Sequence, residues 1–209
     1  MNRFVLAQEL PEKVILTDDP ARARMIISHY LDNVEILYEH RGMIGCSGEY
    51  QGTGMAVISC GFGESTARLY LEESARLGAR EFIYLGEGIS LTKSIGLMSV
   101  ILVEGGNPEL LRRITTIAEK TLVPIKTIET VTNDCFWCDD VNVQDERGWD
   151  IADFAASAVH NVADSLGVSV AVILTVSENT IKAERVSEET RQIGFSEASV
   201  LALGVMLNL

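Results

Sequence analysis

Two hydrophobic periods alternate along this chain. VILTD (14–18) is an apolar run of the buried-strand kind, and PARARMIISHYL (20–31) follows with Pro20 placed where a helix begins. VEILYEHR (34–41), IGCSGEY (44–50) and MAVISCG (55–61) read as strands, with a turn at Gln51-Gly52-Thr53-Gly54. STARLYLEESARLG (65–78) reads as a helix closed by Gly78, and EFIYLG (81–86) as a strand ending at a glycine-flanked Glu87. A strand lies within 94–106, and a helix over 107–122 has Asn107 as its N-cap and Pro108 in its first turn. KTIETVT (126–132) is a strand and 149–167 a helix. VSVAVILTVS (168–177) is apolar almost throughout, as befits a strand covered on both faces, and a last helix runs over about 188–208.

This order predicts one domain over residues 1–209, of three-layer αβα class. Its central sheet is mixed and mostly parallel, with an antiparallel portion near 34–61. In such sheets ligands bind beyond the carboxyl ends of the strands, which directs attention to Thr17–Arg22, Ser59–Thr66, Gly86–Ser90 and Ser177–Thr180.

Composition narrows the function classes. The net charge of −13 opposes nucleic acid as a partner, because backbone binding needs clustered Lys and Arg. No apolar run reaches the roughly 18 residues a membrane span needs, and the first residues lack a secretory h-region, so a cytoplasmic protein is expected. Cys135 and Cys138 form a C-x-x-C, but Asp139 and Asp140 beside it would raise a thiol pKa, and no second ligand pair for zinc accompanies it. No metal and no cofactor is expected.

Two strand ends carry candidate chemistry. Thr17–Arg24 joins a strand end to a helix start with two arginines, which can hold an anion or can be ordinary N-capping with solvated arginines. Ser59–Thr66 is a glycine-bracketed turn into a helix, without the spacing of a dinucleotide loop and without the lysine of a P-loop.

Taken together, these segments resemble the nucleoside phosphorylase family of the hexameric purine nucleoside phosphorylase and uridine phosphorylase type. Asp18-Asp19-Pro20-Ala21-Arg22-Ala23 is similar to that family's G-D-P-x-R-A. Arg41-Gly42-Met43-Ile44-Gly45-Cys46-Ser47-Gly48-Glu49-Tyr50-Gln51-Gly52 is similar to R-G-M-x-G-x-[ST]-G-x-Y-x-G. Ser59–Gly63 looks like its G-x-G-M-G turn, and Val176-Ser177-Glu178 like its V-S-D. The resemblance implies a nucleoside substrate, inorganic phosphate as possible co-substrate, and a homo-oligomer in which dimers build a hexamer. It further implies that Arg22 and Arg41 bind phosphate, Arg41 serving a neighbouring subunit's site, and that Glu178 stands for the aspartate that protonates the leaving base. Phe62, Phe136, Phe154 and Asp153 fall at nucleoside-binding positions.

Several positions depart from the pattern. Asp18 replaces a phosphate-binding glycine, Tyr84 an arginine, Glu87 a small hydroxyl residue and Ala155 the glutamate that holds the ribose hydroxyls. A carboxylate about 4 Å from a phosphate charge costs about 4 kcal/mol at an effective dielectric near 20. Pairing of Arg22 with Asp18 and of Arg41 with Glu87 would therefore satisfy the site without any anion. Three readings stay open: a phosphorylase with a degenerate phosphate and ribose site, a phosphate-independent nucleosidase in which Glu87 or Asp18 activates water, and a non-catalytic nucleoside- or nucleobase-binding or structural relative.

Overall fold

The computed structural model describes residues 9–133, 148–193 and 195–207. Its elements in order are β1 (Lys13–Thr17), α1 (Pro20–Tyr30), β2 (Asp32–His40), β3 (Met43–Tyr50), β4 (Thr53–Ser59), α2 (Glu64–Arg76), β5 (Glu81–Ser90), β6 (Val100–Val103), α3 (Pro108–Thr121), β7 (Ile125–Ile128), β8 (Val131–Thr132), β9 (Ile151–Asp153), α4 (Ala156–Leu166), β10 (Ser169–Asn179), β11 (Glu184–Arg185), α5 (Glu188–Ile193) and α6 (Ser196–Met206). The strands join in one mixed sheet of order β2-β3-β4-β1-β5-β10-β6-β7, with β9 on the end of β5, β8 on β9 and β11 on β10. Parallel pairing joins β4, β1, β5 and β10, and the β2-β3-β4 meander is antiparallel. This is the expected three-layer α/β architecture.

Side chains alternate across the sheet with period two, and each face has its own core. Val14, Leu16, Phe82, Val170 and Val172 pack under Leu71 of α2 and Val159 of α4. Ile15, Ile83, Leu85, Ala171 and Ile173 pack under Ile26 of α1, Ile114 of α3 and Leu201 of α6. Both faces of β5 and β10 are therefore covered, which explains their near-continuous apolar sequences. Two helix starts form as the sequence indicates. Asp19 accepts from the Ala21 amide ahead of Pro20, and Asn107 accepts from the Glu109 and Leu110 amides around Pro108.

Four expected boundaries move. The strand read as ending at Gly86 continues to Ser90, because β10 pairs with it on one edge (Thr175 opposite Glu87) and β9 on the other (Asp153 opposite Gly88). Those partners satisfy the backbone that two glycines would otherwise leave to a loop. The segment read as a helix from 149 starts instead as β9, and α4 begins only at Ala156. The Asp153 carboxylate sets that start by accepting from the amides of Ala155 and Ala156 at 2.8 and 2.7 Å. The strand read over 126–132 divides into β7 and β8, and the last helix into α5 and α6, with the buried Phe195 ring at the second break.

Candidate active site

The carboxyl ends of β5 and β10 meet at a cavity of about 430 Å³, and the charged residues around the end of β1 adjoin it through Glu87. One wall comes from the turn after β4. Gly61 and Gly63 hold φ values of 82° and 101°, where a side chain would be strained, and they carry Phe62 between them. Thr66 closes the turn by donating its hydroxyl to the carbonyls of Gly61, Phe62 and Gly63. Phe62 meets Phe154 edge-on with ring centroids 5.8 Å apart, and both rings line the cavity. A bulge in β10 between Val176 and Glu178 lets the consecutive Ser177 and Glu178 both line it. Glu178 is ion-paired with Arg185 on β11 at 3.3 Å.

The inner end of the site is a cluster of charges. Arg22 lies on the inward face of α1 and is 1% exposed. Its Nη1 donates to Thr17 Oγ1 at 3.2 Å, to Asp18 Oδ1 at 3.0 Å and to the Leu85 carbonyl at 3.0 Å. Its guanidinium carbon stands 4.7 Å over the Phe195 ring. The second Asp18 oxygen accepts from the Glu87 amide at 3.1 Å. Burial pushes the Asp18 carboxyl up to about 7; Arg22 opposes the rise and the Glu87 charge adds to it. Glu87, 3% exposed, faces Arg22 Nη2 at 3.9 Å with one oxygen and Arg191 Nη2 at 3.6 Å with the other.

The structure thus brings together Asp18, Arg22, Glu87, Phe62, Phe154 and Glu178. The Arg22–Asp18 pair forms as the sequence suggested, whereas the expected Arg41–Glu87 pair does not form within the chain. Arg41 occupies the exposed turn between β2 and β3 at φ 54°, and the second cation at Glu87 is Arg191 of α5. Arg191 was missed because its helix, rich in Glu and Arg, reads as a solvated surface element, and nothing local marks one arginine as turned inward.

Asp153 is also placed differently from its nucleoside-binding expectation. Besides the two α4 amides it accepts from Thr130 Oγ1 at 2.6 Å and from Thr132 Oγ1 at 3.1 Å, so it is occupied as a buried helix cap rather than lining the cavity. Tyr84 is fully buried beside Gly86, where an added Cβ would lie 2.7 Å from its ring. Phe136, Cys135 and Cys138 lie outside the described residues. Among the described residues no group of three or more His, Cys, Asp or Glu side chains is arranged to hold a metal, and no helix is long and apolar enough to cross a membrane.

No protein-family model matches the chain. Curated relatives nonetheless span almost all of it. A DeoD-type 2 purine nucleoside phosphorylase of Vibrio parahaemolyticus is 26% identical, covering 96% of this chain and 95% of the relative. A DeoD-type purine nucleoside phosphorylase of an Exiguobacterium species is 28% identical, covering 97% of each. Among solved structures, two of uridine phosphorylase from Vibrio fischeri superpose with TM-scores of 0.84 and 0.85 at 24% identity, over 96% of this chain and 93% of theirs. The structural likeness establishes the fold, and the curated relatives carry the kinship.

Proposed function

We propose that the chain is a divergent relative of the nucleoside phosphorylases that takes a purine or pyrimidine nucleoside into this cavity and breaks the N-glycosidic bond without phosphate as acceptor. One observation carries the second half. Each guanidinium at the inner end, Arg22 and Arg191, already faces a buried carboxylate of the same chain. Above about pH 7, where Asp18 is ionised, two arginines against Asp18 and Glu87 leave no net positive charge for a dianion, and phosphate entry would set its charge against both carboxylates. Phe62 and Phe154, edge-on to each other in the lining, support an aromatic wall for the base, and Glu178 in the same lining is the proposed donor of a proton to the departing base. Water adds to the anomeric carbon as the N-glycosidic bond breaks, and the proton it loses returns to Glu178, so that free base and free sugar leave.

Val34 and Ile36, exposed apolar residues on the edge strand β2, support a homo-oligomer of dimers building a hexamer, with Arg41 in the adjoining turn serving a neighbouring copy. The proposed setting is cytoplasmic.

The test is chromatographic: base release from a panel of ribo- and deoxyribonucleosides, with and without inorganic phosphate. Equal release in both conditions is expected. Release only with phosphate overturns the charge reading of Glu87, and no release from a nucleoside that demonstrably binds overturns cleavage.

A further inference from the structure

Glu87 is the least satisfied charged group at the site. Its carboxylate is 3% exposed, yet neither oxygen receives a hydrogen bond. Oε1 is sealed and without a partner, and the two guanidinium nitrogens that face the carboxylate stand 3.6 and 3.9 Å away, beyond hydrogen-bond reach. On the other side of the gap, Arg22 Nη2 and Arg191 Nε are also buried and unpartnered. An ionised carboxylate has about four lone-pair sites, and a buried one normally fills them. By comparison, Asp18 and Asp153, equally buried, accept hydrogen bonds on both oxygens.

The unprotonated oxygens of a phosphate only accept, so they cannot satisfy the carboxylate side of this gap, and they bring charge of the same sign to it. A hydroxyl can fill the gap, since it donates to the carboxylate and accepts from a guanidinium at the same atom. Among the described residues, neither position 153 nor position 155 offers the sugar a free carboxylate: Asp153 is occupied as a cap, and Ala155 is a buried methyl. Among the described residues lining the cavity, only Glu87 and Glu178 are carboxylates, and Glu178 sits beside Arg185 at the outer strand pair.

We propose that Glu87 is the sugar-recognition residue of this protein: its carboxylate accepts hydrogen bonds from the hydroxyl groups of a ribonucleoside, which reach it when the Arg191 side chain gives way. The strand that would otherwise serve an anion thus selects a neutral diol. This rests on the nucleoside reading above and adds to it which part of the nucleoside is recognised, and by what.

Titration calorimetry tests it in phosphate-free buffer, with adenosine and uridine each compared with its 2′-deoxy and 2′,3′-dideoxy counterpart. Loss of both hydroxyls is expected to weaken binding about tenfold or more in the unaltered protein. In Glu87→Gln and Glu87→Ala the ratio of ribo to dideoxy affinity should fall towards one. Equal affinity for ribo and dideoxy nucleosides in the unaltered protein overturns the proposal, and this arm needs no variant to fold. A ribo preference that persists in both variants overturns it too. So does loss of base release in Glu87→Gln with no change in hydroxyl preference, which would assign Glu87 to water instead. Repeating one titration with added phosphate separates the parent reading: tighter nucleoside binding with phosphate sinks that reading whatever the hydroxyl series shows.

Discussion

The two ends of the cavity are built on opposite principles. At the aromatic end, Phe62 is 51% exposed on a turn held by glycines and one threonine, and its ring meets Phe154 edge-on. At the charged end, Asp18, Arg22 and Glu87 are each at most 3% exposed and are carried by the turn after β1, by α1 and by the interior strand β5. The difference teaches which groups the fold depends on. Removing one partner of a buried ion cluster strands the others, whereas trimming an exposed ring removes little that folding used.

The largest effect should come from Arg22→Met, which leaves Asp18 and Glu87 buried without their shared cation. A stability loss of about 3–5 kcal/mol is expected, read from urea denaturation. A loss under about 1 kcal/mol would mean that the two carboxylates are not both charged in the folded protein. Next comes Asp153→Ala, which frees two α4 amides and two threonine hydroxyls. About 2 kcal/mol of destabilisation should follow, where an exposed carboxylate would give almost none.

The third contrast is in pH. The Asp18 carboxyl, at about 7 when folded against its ordinary 3.8, keeps a proton over a range in which the unfolded chain has lost it. Its contribution to stability is therefore fully present below about 4 and is lost as pH rises through about 7. Denaturant midpoints measured from pH 4 to 8 at fixed ionic strength should carry this decline, and Asp18→Asn should remove it. The smallest stability change belongs to Phe62→Ala, within about 0.5 kcal/mol, while nucleobase affinity falls about threefold to tenfold. A large loss of stability there would erase the contrast between the two ends.

Much of this was legible in the sequence, for reasons that differ from residue to residue. Asp19-Pro20 and Asn107-Pro108 announce their helices because capping is local, a side chain reaching an amide two or three residues on. The Asp18–Arg22 pair is legible because the two lie only four residues apart across the turn that starts α1. The run FIYLGEGIS misleads because Gly86 and Gly88 carry the ordinary signal of a strand end, while the pairing that overrides it comes from β9, more than 60 residues away. Asp153 reads as a site residue on a helix, and only the amides of Ala155 and Ala156 with the hydroxyls of Thr130 and Thr132, all donating to it, show it to be a buried cap. Arg191 is invisible for the same cause. Its meeting with Glu87 is a contact between elements about 100 residues apart, and no spacing encodes it.

The extension of β5 through Glu87 has a consequence for how this protein can change. Strand interiors exchange their amide hydrogens only when a large unit opens, whereas loops exchange by local fluctuation. With β10 on one edge and β9 pairing from Gly88 on the other, the backbone around Glu87 is expected to exchange with the slowest-opening part of the molecule. A residue that chooses the ligand has thus been placed in the unit that sets the lifetime of the fold. Variation at position 87 is filtered twice, once for what enters the cavity and once for whether the sheet holds.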